Sequence, residues 1–91
     1  MKKIFVVKEK NLLENNEKLL STMAFKNYNY AVEYLKEHLI HDRSELQNEK
    51  YNANTDMTEI LKGFIEVYET KKGQFYETYE NEPIKVYNYN F

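Results

Sequence analysis

The sequence predicts a small α+β domain, an antiparallel sheet packed against one long helix with a second short helix. Three observations carry this. Residues 28–47 repeat apolar side chains at helical spacing, residues 4–7 are β-branched and aromatic, and residues 64–91 form a run of alternating aromatic and polar side chains broken by turn residues. At 91 residues the chain is one domain, spanning 1–91. Such a domain buries only roughly 60–65% of the surface its unfolded chain exposes, so its core is thin and function belongs on an outer face or shallow groove.

Ile4, Phe5, Val6 and Val7 predict the first strand. Residues 8–18 are polar, and a turn there would return the chain into a second strand over 19–26, with Leu19, Ser21, Met23 and Phe25 on one face. A short helix over 12–20 is the rival reading. Asn27 or Asn29 can cap the long helix that follows by accepting from its first unpaired N–H groups. Ala31, Val32, Leu35, Leu39 and Leu46 would face the core, with Glu33, Lys36, Glu37, Arg43 and Glu45 outside and an end near Gln47 or Asn48.

Residues 48–55 read as a polar loop. Asp56-Met57-Thr58-Glu59 matches a capping box, with Asp56 accepting from the N–H of Glu59, and predicts a helix of about two turns closed by Gly63. The C-terminal third reads as a three-stranded meander. Strands over 64–70, 74–80 and 84–90 would be joined by a turn at Thr70-Lys71-Lys72-Gly73 and another at Asn81-Glu82-Pro83.

Composition narrows function. Net charge is −2, which argues against direct, general nucleic-acid binding. There are no cysteines, hence no disulfides and no thiolate metal site, and the apolar run after Lys2 and Lys3 is far too short for a signal peptide or a membrane span. These features predict a cytoplasmic protein without membrane attachment. Ser21 and Ser44 are the two serines, and neither sits in a nucleophile motif. Neither Gly63 nor Gly73 opens a phosphate-binding loop. No catalytic residues and no cofactor are therefore expected, and the chain reads as a non-enzyme.

His38, His41, Asp42 and Glu45 fall at i,i+4 spacings on the long helix, a pattern that places two metal ligands on one face. A zinc site needs a further ligand from elsewhere, and the sequence names none, so a solvated helix face with no metal is the expectation. The segment 64–91 is more distinctive. Phe64, Tyr68, Phe75, Tyr76, Tyr79, Tyr87, Tyr89 and Phe91 alternate with Glu66, Glu69, Glu77, Glu80 and Glu82. Acidic residues beside tyrosine rings would repel phosphate and suit arginine or lysine on a partner protein. The candidate partner-binding residues are Glu66, Tyr68, Tyr76, Glu77, Tyr79 and Glu80.

Twelve lysines against one arginine, eleven asparagines and nine tyrosines reflect AT-rich coding. In length, this composition, its compact α+β pattern and its Tyr/Glu-rich segment 64–91, the chain resembles the small accessory proteins of low-GC bacterial phages and mobile elements. Among these are anti-CRISPR proteins and other inhibitors of host defence. The resemblance implies stoichiometric binding of a host protein, often at a nucleic-acid-binding surface of a defence complex, and transfers no site residues. A lysine-rich N-terminal half (Lys2, Lys3, Lys8, Lys10, Lys18 and Lys26) offers an alternative, a small nucleic-acid-associated regulator. A metal-dependent activity at the histidines ranks behind it. An open sheet edge would also allow a homodimer.

Overall fold

In a computed structural model, which describes residues 2–13, 23–70, 82–89 and 91, the N-terminal residues form one long strand, β1 (Lys2–Asn11). It is followed by β2 (Met23–Phe25), the helix α1 (Tyr28–Lys50), a single 3-10 turn (Met57–Glu59), β3 (Leu61–Thr70) and β4 (Lys85–Tyr89). The strands make one antiparallel sheet in the order β2-β1-β3-β4. This is the α+β class that the sequence predicts. None of the described helices is long and apolar enough to cross a membrane.

The first strand runs four residues past Val7. Lys8, Glu9, Lys10 and Asn11, expected as the start of a turn, instead pair with Phe64, Gly63, Lys62 and Leu61 of β3. Their alternation explains it. Phe5, Val7, Glu9 and Asn11 share the face toward α1, while Ile4, Val6, Lys8 and Lys10 lie on the other. The expected hairpin partner is present as β2, whose Met23, Ala24 and Phe25 pair with Val7, Val6 and Phe5. Residues 19–22 of the expected strand lie outside the described residues, as does most of the rival helix.

Helix α1 begins at Asn27, whose side chain accepts from the Tyr30 N–H at 3.2 Å. Ala31, Leu35 and Leu39 are fully buried; Ala31 and Leu35 pack with Val7 and Ile65 of the central strands, and Leu39 lies over Gly63. The same i,i+4 row continues into Arg43, which is 7% exposed. The sequence reading placed Arg43 on the outer face; it belongs to the buried row, and Leu46 is half-buried at its flank.

Two further expectations need correction. The second helix is one 3-10 turn; the Asp56 side chain accepts from the Thr58 N–H (3.1 Å) and hydroxyl (2.6 Å), and it is the Asp56 backbone carbonyl that accepts from the Glu59 N–H (3.2 Å). Gly63 does not end a helix; it lies inside β3, which starts at Leu61. A β-carbon there would stand 2.7 Å from Leu35 Cδ1 and 3.0 Å from Leu39 Cδ2. The glycine lets the helix approach the sheet.

The C-terminal order also differs from a simple meander. Residues Gly63 to Val67 of β3 pair directly with β4, from Tyr89 back to Lys85, and β1 fills the opposite edge. That stretch of β3 therefore has no edge left for the expected strand 74–80, which itself lies outside the described residues. Both faces of the sheet are covered in the middle. Ile4, Val6 and Tyr68, on the face away from α1, are each at most 5% exposed.

The close approach at Gly63 yields a test. Gly63→Ala should lower unfolding free energy by roughly 1–3 kcal/mol, as overpacking does. Combining it with Leu35→Val should cost less than the two single losses added, since the shortened side chain vacates the space; urea denaturation of the four proteins measures this.

Candidate functional site

Helix α1 and the sheet meet in two polar-aromatic regions, joined by Arg43. The first is built on Glu9. The period-2 alternation of β1 turns this side chain toward the helix, and it is only 2% exposed. Its carboxyl hydrogen-bonds the side chain of Asp42, one residue before Arg43 on α1. Burial, then the bond and the like charge of Asp42, push Glu9 up to about 8, with Arg43 acting in the opposite sense. One Glu9 oxygen, Oε2, is buried without a hydrogen-bond partner.

Arg43 spans the interface. Its Nε donates to the Leu61 carbonyl at 3.0 Å and Nη1 to the Phe91 carbonyl at 2.6 Å. Burial pulls Arg43 below the usual guanidinium value, while Glu9 and Asp56 hold it up. The planar fork explains why this position uses the chain's single arginine among its lysines, since an ammonium cannot reach two divergent carbonyls with the same rigidity. Outside the interface, the His41 ring lies 3.8 Å from Asp42 Oδ1 and 3.7 Å from Glu45 Oε1. A shallow depression of about 340 Å³ opens beside it, lined by Glu37, His38, His41 and Asp42. His38 stacks on Tyr34 at 4.0 Å between centroids, and Tyr34 packs on Phe25 of β2.

The second region is aromatic and runs along β4. Tyr28, from the first turn of α1, touches Phe5 edge-on (5.5 Å) and Tyr87 (5.4 Å), and its hydroxyl meets that of Tyr89. Burial, then this bond, raises the Tyr89 hydroxyl well above the usual phenol value. Tyr89 stacks on Phe91 at 5.1 Å. Lys36 lies 5.9 Å over the Phe91 ring, and Lys85 is 4.7 Å over Tyr87. On the other face, Val86 of β4 and Ile84, the residue just before the strand, stand 44% and 52% exposed. Among the described residues β4 has a neighbour on one side only.

Of the six residues expected to form a partner surface, two are described. Tyr68 is 5% exposed and packs with Ile4 and Val6, so its ring belongs to the core and offers no open contact. Burial, then the nearby Glu66, raises its hydroxyl above the ordinary value. Glu66 is mostly buried and ion-paired to Lys8, which removes both charges from the surfaces assigned to them. Tyr76, Glu77, Tyr79 and Glu80 lie outside the described residues. Glu66 and Tyr68 do lie beside each other, but within this packing and not as an open acidic-aromatic patch.

Glu9 and Arg43 are the residues that sequence reasoning missed. The signals were there in part: Arg43 stands four residues after Leu39 in the 31-35-39 row, and Glu9 follows Phe5 and Val7 at strand spacing. Comparison with protein-family models, with curated proteins and with solved structures gave no match to this chain.

The raised Glu9 makes stability depend on pH in a stated direction. Its folded-state value, about 8, lies above the ordinary 4.5, so the folded chain holds this proton where the unfolded chain has lost it. The contribution is complete below the unfolded value and is lost as pH rises through the folded one. Unfolding free energy should fall between about pH 5 and pH 8, with a slope of at most about 1.4 kcal/mol per unit for one proton. The charged groups facing Glu9 are Asp42 and Arg43. Urea titrations at pH 5.5, 7 and 8.5 measure the slope, and Glu9→Gln, which keeps a neutral hydrogen-bonding side chain, should flatten it.

Proposed function

We propose that the protein acts by binding another protein and inhibiting or modulating it, without chemistry of its own. It would be an accessory factor of the kind phages and mobile elements direct against host defence. The observation that supports this reading is the outer strand β4, open on one side among the described residues, with Val86 on it and Ile84 just before it both exposed. A strand of this kind offers main-chain groups for strand addition and apolar side chains for pockets on the partner.

The proposal keeps the C-terminal sheet as the working surface and moves its centre. With Tyr68 in the core and Glu66 tied to Lys8, the contact falls to β4. Tyr87 and Tyr89 are half-buried and held by Tyr28, so the strand is presented on a rigid backing. A pre-ordered edge loses little conformational freedom on association. The class resemblance of length and composition supports the host-directed part of the reading. A defence complex that handles nucleic acid is the partner class it suggests.

Affinity capture from a low-GC bacterial lysate tests the surface when run beside the Ile84→Lys/Val86→Lys double variant. Both side chains are exposed, so the variant should keep the wild-type unfolding midpoint, as surface changes do. The wild type should hold a stoichiometric partner that the variant releases. Equal capture by both proteins, capture by neither, or a wild type that pairs only with itself contradicts the proposal.

A further inference from the structure

The helix face at His41 holds more than its sequence spacing implies. One donor atom each from His41, Asp42 and Glu45 lies within 4.8 Å of the others. Helical geometry brings His41 and Glu45 together at i,i+4, and Asp42 comes in beside them from the next position. We propose that His41, Asp42 and Glu45 bind a divalent transition-metal ion of the zinc type, with Glu9 beneath Asp42 as the positioning residue.

The donor set suits that class of ion. One imidazole and two carboxylates are borderline-to-hard ligands, and three protein ligands with a fourth position left to water is an established zinc arrangement. Bonds of about 2.0–2.2 Å place ligand atoms about 3.3–3.5 Å apart in a tetrahedral site. The 3.8 and 3.7 Å contacts fall on the two different ring nitrogens of His41; with one donor atom per residue the three lie up to 4.8 Å apart, more than about an ångström wider than that site. Side-chain rotation closes that gap, because His41 and Glu45 are 63% and 64% exposed and unconfined by packing.

Asp42 is the fixed member. It is only 21% exposed, and it meets the carboxyl of Glu9, which reaches it from β1. Ligating carboxylates are oriented by hydrogen bonds from a second layer of residues, and a buried carboxyl in contact with Asp42 fills that role. Glu9 is the contribution from elsewhere that the helix sequence by itself lacks. Its Oε2 is buried and receives no hydrogen bond from any other donor, which leaves the carboxyl to Asp42. The adjacent guanidinium does not occupy the site, because Arg43 is turned inward to the carbonyls of Leu61 and Phe91. The depression lined by Glu37, His38, His41 and Asp42 leaves room for the ion and its water.

The test uses tag-free full-length protein, titrated with zinc chloride by calorimetry at micromolar protein, with melting followed in parallel. One equivalent should bind and raise the melting temperature. His41→Ala and Glu45→Gln should each weaken binding by about tenfold or more, and Glu9→Leu should weaken it by about tenfold through Asp42. Glu33→Gln, two turns away on the same helix, should change nothing. His41 and Glu45 are exposed, so their variants keep the fold and remain informative if Glu9→Leu does not. Absence of heat and of a melting shift at millimolar zinc overturns the proposal. So does binding that survives both His41→Ala and Glu45→Gln, or that is lost in His38→Ala and kept in His41→Ala.

Discussion

Arg43 donates to two backbone carbonyls that belong to different parts of the chain, Leu61 at the start of β3 and Phe91 beyond β4. A buried guanidinium demands this. It cannot shed its charge, and each unpaired N–H in a low-dielectric interior costs free energy comparable to a lost hydrogen bond. The helix therefore has to sit where those carbonyls converge. That position draws Leu35 and Leu39 onto Gly63, where any larger residue would collide, and sets Asp42 against Glu9. The apolar row Ala31, Leu35 and Leu39 supplies the driving force for docking, and Arg43 determines where along the sheet the helix stops.

The same contact governs the two functional regions. Through Phe91 it anchors the aromatic run Phe91, Tyr89, Tyr28 and Phe5, which backs the outer strand from the helix side and leaves Ile84 and Val86 facing outward. Through the neighbouring Asp42 and Glu9 it holds a carboxyl pair at the edge of the helix-sheet seam. The strand β2 covers β1 only from Phe5 to Val7, so Glu9 lies beyond the stretch paired with β2, facing Asp42 and Arg43. The proposed partner surface at β4 and the proposed ion site at His41 thus flank one helix-sheet interface.

Much of the fold was legible because it rests on local physics. Asn27 as helix cap, the buried row from Ala31 to Leu39, the strand around Ile4 to Val7 and the final strand follow from spacing and residue type. Less legible was anything decided by a distant segment. Lys8-Glu9-Lys10-Asn11 reads as a loop until β3 supplies a partner for every residue. Gly63 reads as a helix stop until Leu35 and Leu39 arrive over it. Tyr68 was expected on an outer face because antiparallel sheets usually have one; here the second face is covered as well, and the ring packs on Ile4 and Val6. A charged residue in an apolar row, such as Arg43, has a readable position and an unreadable burial. Nothing near it in sequence shows the carbonyls that its Nε and Nη1 reach, or that its Nη2 is buried without a partner.

A double-mutant cycle between Glu9 and Arg43 measures the central constraint most directly. Urea unfolding of the wild type, Glu9→Met, Arg43→Met and the double variant at pH 7 gives the coupling. Removing Arg43 alone should cost about 3–5 kcal/mol, because the buried carbonyls of Leu61 and Phe91 each lose a charged hydrogen-bond donor. The double variant should be more stable than the sum of single losses allows, by about 1 kcal/mol or more. Strict additivity, or an Arg43→Met protein as stable as the wild type, would contradict the view that this buried arginine fixes the helix on the sheet.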